Sequence, residues 1–178
     1  MQRVQLREFR PNHVPLLEAW LSAEHVREWF PEPDDMLEWA QAVPRASRHF
    51  IAEADGEAVG YIRWTYVDRA TLDAIGFGDL PSHSADIDLL IGAGERTGRG
   101  IGPAMLDEAL AVMRRDGLAE LAAVTTSVRN THAQRAFEHA GFRLDRQYEP
   151  EGFGPCKLML RSVWFRNPFG ACAGKSKP

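Results

Sequence analysis

Two aspartates, Asp86 and Asp88, lie two positions apart in a segment that alternates apolar and polar residues, 86–91. The alternation predicts a strand, on which residues two positions apart share one face with their side chains ~7 Å apart. Two like charges at that spacing raise the pKa of at least one carboxyl. One carboxylate could therefore take a proton from an ammonium group near neutral pH while the other holds the cation. The alternative is a strand end that simply exposes two solvated acids.

Three glycines, Gly98, Gly100 and Gly102, alternate along the segment 97–102, just after this strand. Glycine lets the backbone approach a ligand closely and adopt positive φ. The next segment is predicted to be a helix, whose first turn presents free N–H groups and a partial positive charge. Together with the cation of Arg99, these groups would bind an anion, and pyrophosphate suits the site best. A tight turn without a ligand is the alternative.

Apolar periodicity and turn residues predict the elements that position these groups. Strands are predicted at 4–9, 49–54, 58–66, 86–91, 121–126, 142–148 and 156–165. Helices are predicted at 14–21, 23–30 (capped by Ser22), 36–43, 102–116 and 131–140. Residues 68–84 contain Gly, Pro and Ser and are predicted to form a long loop, a kind of segment that is often functional.

This order of elements predicts an α/β (α+β) fold, in which a mixed, mostly antiparallel central sheet is flanked by helices. The length of 178 residues suits one domain better than two. We expect that domain to span residues 1–166. The remaining residues, 167–178, include Gly and Lys and are expected to form a flexible tail.

The bulk composition argues against several kinds of partner. A net charge of -4 does not suit nucleic acid, which needs a basic face. No apolar run reaches the ~20 residues that span a bilayer, and the N-terminal segment lacks a signal-peptide pattern. Neither the histidines nor the two cysteines, Cys156 and Cys172, show metal-binding spacing, so no metal is expected. The cysteine content fits a reduced, cytoplasmic setting.

The glycine segment and a second motif together resemble the signatures of the GNAT superfamily of acetyltransferases. The family's acetyl-CoA motif, Arg/Gln-x-x-Gly-x-Gly/Ala between a strand and a helix, matches 97–102, with Thr97 where Arg or Gln is usual. The family's Asn-x-x-Ala-x-x-x-Tyr-x-x-x-Gly-Phe is matched, with phenylalanine for tyrosine, by Asn130, Ala133, Phe137, Gly141 and Phe142. The resemblance covers roughly residues 3–165.

The resemblance implies a GNAT domain that binds acetyl-CoA and transfers its acetyl group to an amine. The implied cofactor-binding residues are Leu90, Ile91, Thr97, Gly98, Arg99, Gly100, Ile101, Gly102, Asn130, Ala133 and Phe137. In the family, a backbone N–H of the strand before the glycine loop stabilises the tetrahedral oxyanion, which implies a catalytic role at about Leu90. The family's tyrosine protonates the leaving thiolate. With Phe137 in its place, the thiolate leaves unassisted or takes a proton from solvent or another group.

Three local segments, 20–29, 56–61 and 87–90, resemble aminoglycoside 6'-N-acetyltransferases in particular. In such enzymes the aspartate that matches Asp88 contacts the reacting amine, so Asp88 is the implied catalytic carboxylate. The residues expected to bind a cationic acceptor are Trp29, Phe30, Tyr66, Asp73, Asp86 and Asp88. This resemblance implies a resistance enzyme that acetylates the 6'-amine of aminoglycoside antibiotics.

Two alternatives to an aminoglycoside enzyme stay open. The same subgroup resembles acyltransferases of siderophore assembly, so the acceptor could be a siderophore precursor or another small amine such as a polyamine. In a different class, Thr97 and Phe137 would suit a CoA-binding module with GNAT shape and no turnover. In each case we expect a monomer or a homodimer, with neither nucleic acid nor a membrane as partner.

Overall fold

The computed structural model describes residues 3–30, 33–42, 45–150 and 152–164. Its strands are β1 (Val4–Glu8), β2 (Ser47–Ala54), β3 (Glu57–Val67), β4 (Ser84–Ile91), β5 (Leu121–Ser127), β6 (Arg143–Tyr148) and β7 (Cys156–Ser162). Its α-helices are α1 (Val14–Leu21), α2 (Glu24–Arg27), α3 (Pro33–Ala42), α4 (Arg69–Ala74), α5 (Ile101–Asp116) and α6 (Thr131–His139). The strands that the sequence predicts are all present, with ends that differ by one to three residues.

The seven strands form one sheet in the order β1-β2-β3-β4-β5-β7-β6. Only the central β4–β5 pair is parallel, and the other neighbours are antiparallel. The predicted fold class, a mixed and mostly antiparallel sheet flanked by helices, is confirmed.

Helices cover both faces of the sheet. On one face α5 packs against a core that includes Ile62, Trp64 and Ile87 of the sheet. On the other face, helices α1 to α3 pack against Tyr61 and Leu90. A third, smaller cluster lies on this second face, where α4 covers the inner strands near β5 and β7; it consists of Leu72, Leu80, Ala123 and Leu158.

The parallel pair β4–β5 is short. Only Ala85–Ile87 of β4 pairs with Ala122–Val124 of β5, although β4 continues to Ile91 and β5 continues to Ser127. Past Ile87 the two strands separate, and the edge of β4 that faces β5 is left without a partner strand. The sheet therefore has an opening at its centre.

Two segments differ from the sequence-based predictions. The predicted loop 68–84 contains the short helix α4, which the Asp68 side chain caps by accepting a hydrogen bond from the Thr71 N–H at 2.8 Å. Gly76 and Gly78, further along this segment, favoured the prediction of a loop over that of a helix. Helix α2 ends at Arg27 rather than at Phe30, and Ser22 does not cap it, because its hydroxyl donates to the Glu18 carbonyl. Val43 and the predicted tail 167–178 lie outside the described residues.

Helix α1 packs so closely against the end of β4 that position 92 has no room for a side chain. A Cβ added at Gly92 would lie 2.0–2.3 Å from the indole ring of Trp20. That ring is only 8% exposed and packs with Leu17 and Leu21. Glycine at position 92 therefore sets how closely the α1 face approaches the strand.

We expect Gly92→Ala to destabilise the protein, because the added methyl would overlap the rigid Trp20 ring. Overpacking of this kind costs ~1–3 kcal/mol. Gly102→Ala is the matched control, since its Cβ would contact Ala136 at an ordinary 3.6 Å. Urea denaturation of both variants measures the free energy of unfolding. Equal values for the two variants would contradict this packing.

Candidate functional site

A cleft of about 770 Å³ opens between α2, the end of β4, the loop before α5, and α6. It is lined by most of the residues predicted to bind the cofactor, namely Leu90, Ile91, Thr97, Gly98, Gly100, Ile101, Gly102, Asn130, Ala133 and Phe137. Arg99 lies in the same loop with its side chain exposed to solvent and outside this lining. The two motifs, about 30 residues apart in sequence, thus line one cleft.

The glycine loop adopts a backbone that other residues rarely reach. Gly98 has φ +71° and Gly100 has φ +80°, and a Cβ at either position would meet nothing within 4 Å. Gly100 is the N-cap of α5, so the N–H groups of Ile101 and Gly102 have no acceptor within the helix. Open space, free N–H groups and the positive end of a 16-residue helix together make a fitting site for an anion.

The second motif lines the same cleft through α6, whose start is fixed by a side-chain cap. The Asn130 side-chain oxygen accepts a hydrogen bond from the Ala133 N–H at 3.0 Å, which fixes the start of α6. Phe137 is 5% exposed and lies 6.2 Å from Phe142 between ring centroids. Phe137 therefore packs in the core and lines the cleft at once, and it brings no ionisable group to the cleft.

Backbone hydrogen bonds show which groups of β4 face the opening. The Gly92 N–H donates to the Val59 carbonyl at 2.9 Å, which makes Gly60 and Ile91 a non-hydrogen-bonded pair. The next pair, Tyr61 and Leu90, therefore exchanges backbone hydrogen bonds between β3 and β4. The Leu90 N–H is turned toward β3 and is not free, contrary to the expectation that it stabilises an oxyanion.

The neighbours of Leu90 have the opposite orientation. By the same alternation, the N–H groups of Leu89 and Ile91 point toward β5, from which β4 has separated. The Ile91 carbonyl accepts a hydrogen bond from His25 Nε2 at 3.0 Å, which ties α2 to this edge. The donors that face the cleft are thus Leu89 and Ile91.

Asp88 is paired with a buried cation that the sequence did not reveal. Arg63 lies opposite Asp88 in the β3–β4 register, and its Nη2 is 2.5 Å from Asp88 Oδ2. The Arg63 side chain is 9% exposed, and its guanidinium lies 3.9 Å from the centre of the Trp39 ring. Its Nε and Nη1 have no hydrogen-bond partner among the described residues. Only the register of β3 against β4 places Arg63 beside Asp88, and the sequence alone does not supply that register.

Asp86 shares the face of Asp88, as the alternation predicts, but not its ion pair. It lies opposite Thr65, and no cation of the described residues is within 4.0 Å of its carboxylate. Its side chain keeps an exposed surface toward solvent, and protein surrounds it on its other sides. This partial loss of hydration, with the negative charge of Asp88, raises the pKa of Asp86 to about 7, and the Arg63 cation opposes the shift.

The polar row on this face continues beyond Arg63. The Tyr61 hydroxyl and His49 Nδ1 are 2.5 Å apart in the core. Burial, with a smaller contribution from the Arg63 charge, lowers the pKa of His49 to about 4, so the imidazole is neutral at pH 7. On the other side of Asp86, the hydroxyls of Thr125 and Tyr148 are 3.0 Å apart.

The remaining predicted acceptor residues are not all brought together. Trp29 and Phe30 are half-buried and line the cleft beside Leu90. Tyr66 lies on the opposite face of the sheet, where its hydroxyl donates to Asp116 at 3.3 Å. Asp73 is on α4, with its carboxylate 57% exposed and 3.5 Å from Arg69. The structure therefore separates Tyr66 from the two aspartates.

Among residues 3–30, 33–42, 45–150 and 152–164, no group of three or more His, Cys, Asp or Glu side chains is placed to hold a metal ion. Within the same part of the chain, no helix is long and apolar enough to cross a membrane.

Solved structures with the same fold include acetyltransferases of cationic amines. AAC(6')-Ib in complex with ribostamycin and coenzyme A has 21% sequence identity and a TM-score of 0.78, covering 98% of this chain and 99% of its own. An aminoglycoside N(6')-acetyltransferase from Legionella pneumophila has 16% identity and a TM-score of 0.73, covering 92% and 94%. A chimera of spermidine N-acetyltransferase SpeG from Vibrio cholerae and hSSAT has 17% identity and a TM-score of 0.71, covering 90% and 96%.

The sequence comparisons are of two kinds. No curated protein matches the chain. The model of the acetyltransferase (GNAT) domain matches residues 10–149, which include β4, the glycine loop and the α6 motif. With this match over most of its length, and with the fold and cleft described above, the chain belongs to the GNAT family of acetyltransferases.

Proposed function

We propose that this protein transfers the acetyl group of acetyl-CoA to a primary amine of a cationic small molecule, the 6'-amine of an aminoglycoside. One observation carries the proposal: β4 contributes both to the cleft for the cofactor and to the carboxylates for the amine. Its free backbone edge, at Leu89 and Ile91, faces the cleft of the glycine loop, and its carboxylates, Asp86 and Asp88, share the strand face of Leu90, which lines that cleft. A cytoplasmic location, expected from the cysteine content, is part of this proposal.

The cleft has the groups that acetyl-CoA requires. The N–H groups of Ile101 and Gly102, with the nearby Arg99 cation, would hold the pyrophosphate. Acetyl-CoA supplies a thioester whose carbonyl carbon is open to attack by a neutral amine. The Leu89 and Ile91 N–H groups would donate hydrogen bonds to the oxyanion that forms on that carbon. These assignments replace Leu90, whose N–H is turned toward β3.

The acceptor side suits a cationic amine. Asp86 and Asp88 present carboxylates on the face of β4 that also carries Leu90, whereas Asp73 on α4 is paired with Arg69. Carboxylates attract ammonium groups and raise their local concentration. Both AAC(6')-Ib and spermidine N-acetyltransferase, named above for their similar fold, act on amines of this kind.

Arg63 favours a second candidate acceptor with fewer charges. Its guanidinium offsets the charge of Asp88, so the face of β4 carries less negative charge than two free aspartates would. A smaller amine, such as a polyamine or a siderophore precursor, fits that balance. A CoA-binding module without turnover remains the alternative of another class, because Phe137 has no proton to give the leaving thiolate.

We expect the protein to release CoA thiol when given acetyl-CoA and a kanamycin-type aminoglycoside with a 6'-amine. The control acceptor is an aminoglycoside with a hydroxyl at position 6', which has no amine there to attack the thioester. Spermidine is assayed in parallel with the same thiol reagent. Turnover with spermidine alone would replace the aminoglycoside by the second candidate. CoA binding without thiol release from any amine would favour the module without turnover.

Gly100→Val should weaken CoA binding at least ~10-fold, since a β-branched residue cannot keep a φ of +80° and its side chain would fill the cleft. Gly56→Val is the matched control, because Gly56 has φ +82° in the β2–β3 turn, away from the cleft. Calorimetric titration with CoA measures both affinities. If Gly100→Val binds CoA as tightly as Gly56→Val, the pyrophosphate does not lie at this loop.

A further inference from the structure

We propose that Arg63 is a positioning residue that holds Asp88 as a fixed anion, and that Asp86 therefore takes the proton from the acceptor's ammonium group. This inference rests on the proposed amine acetyltransferase and assigns the proton step within it. The resemblance to aminoglycoside enzymes implies instead that Asp88, which would contact the reacting amine, is the catalytic carboxylate.

The first argument is the geometry around Arg63. Its guanidinium lies between Asp88, 2.5 Å away, and the Trp39 ring, 3.9 Å from the ring centre. Arg63 is held from both sides and is 8% exposed. A proton added to Asp88 would break this pair and leave a buried cation without its anion, which is costly. Asp88 is thus suited to hold an ammonium group and unsuited to accept its proton.

The second argument is the contrast with Asp86. Of the two carboxylates, it is the one with no cation of the described residues within 4.0 Å. It lies opposite Ala123 within the three-residue parallel stretch, just below the point where β4 and β5 separate. Its side chain is exposed on the same face of β4 as Asp88, so it can exchange a proton with an incoming amine, directly or through one water.

The groups around Asp86 all bear on its proton affinity. On its own strand, the Asp88 charge raises the pKa of Asp86, and on β3 the Arg63 cation lowers it. On β6, Tyr148 has a pKa raised mainly by burial and is neutral at pH 7. The neighbours on β5, Ala123 and Thr125, carry no charge.

Charged side chains of α4 and β6 form ion pairs of their own. On α4, the carboxylate of Asp73 lies 3.5 Å from the Arg69 guanidinium. On β6, Arg146 pairs with Asp79 and Asp145. Loss of hydration with Asp88 beside it brings the pKa of Asp86 to about 7, in the range that a proton acceptor at neutral pH needs.

The proton balance of the step is simple. The acceptor enters as R–NH3+, one N–H bond breaks, and an O–H bond forms on the Asp86 carboxylate. The neutral amine then attacks the thioester carbon, a C–N bond forms, and the C–S bond breaks to release the thiolate. The nitrogen loses its second proton to solvent, Asp86 returns its proton to solvent, and the thiolate takes up one proton from solvent to become the CoA thiol. The net reaction yields the acetamide, CoA and one proton.

A titration tests the proposal without any turnover. Carbon-13 NMR of protein labelled at the aspartate carboxyls follows each carboxylate with pH, and the Asp86→Asn and Asp88→Asn variants assign the two signals. We expect the signal lost in Asp86→Asn to titrate at about pH 7. In Asp88→Asn that midpoint should fall, because the neighbouring negative charge is gone. If the signal lost in Asp88→Asn is the one that titrates near pH 7, the proposal is overturned.

Variants of Arg63 test its role as a positioning residue. Arg63→Gln removes the cation, so the Asp86 midpoint should rise further, whereas Arg63→Lys keeps the charge and should restore a midpoint near that of the wild type. Equal midpoints in Arg63→Gln and Arg63→Lys would overturn the electrostatic role of Arg63. Should Arg63→Gln fail to fold, Arg63→Met, which removes the cation but keeps an unbranched side chain against Trp39, takes its place in the comparison with Arg63→Lys.

Stability gives an independent readout. A carboxyl with a raised folded-state pKa contributes stability below pH ~4, and that contribution is lost as the pH rises through about 7. Asp86→Asn lacks this loss, so its Tm should exceed that of the wild type by at least ~2 °C at pH 8, and the gain should vanish at pH 4. No gain at pH 8 would contradict a raised proton affinity at Asp86.

The same variants separate this inference from the proposed function. The pH profile of kcat/KM is measured with any amine that the wild type acetylates. Asp86→Asn should lower kcat/KM by ~10²–10⁴ and should remove the decrease of kcat/KM toward low pH, the acidic limb of that profile. Asp88→Asn should raise KM, keep an acidic limb and move that limb to lower pH. The reverse pattern, with the limb abolished only in Asp88→Asn, assigns the proton step to Asp88. If no amine is acetylated, the proposed function fails, while the titration and the Tm measurements still decide the roles of Asp86 and Arg63.

Discussion

The separation of β4 from β5 after three paired residues is the constraint on which the rest of the structure depends. A parallel pair needs a crossover connection, and α5 supplies it, so the N-terminus of that helix is brought to the point where the strands part. The unpaired edge of β4 then lies in one cleft with the glycine loop and α6. The cleft is thus a gap in the sheet that is lined by free backbone groups, and the side chains of β4 project beside it.

The parts of the site that depend on local chemistry were predictable from the sequence. The period of two across 86–91 placed Asp86 and Asp88 on one face, and the observed strand does so. The alternate glycines indicated positive φ before a helix, which Gly98 and Gly100 adopt. Each of these features is decided by residues a few positions apart, and the resemblance to a known family then related the distant motifs to one another.

The parts that depend on strand register were not predictable. Arg63 is 25 positions from Asp88 in the chain, and only the β3–β4 register makes them neighbours. The same register turns the Leu90 N–H toward β3, and strand alternation puts Tyr66 on the α5 face with Asp116. A strand pattern states which residues share a face. It does not state which face meets the cleft or which residue lies opposite.

The raised pKa of Asp86 also has a consequence for affinity. A carboxyl with a raised pKa is protonated to a greater extent near neutral pH than an ordinary aspartate, and a cation beside it favours the ionised form. Binding of a cationic ligand is therefore thermodynamically linked to the release of a fraction of a proton. Its dissociation constant falls as the pH rises through the titration range of Asp86, and its apparent binding enthalpy includes the heat of protonating the buffer.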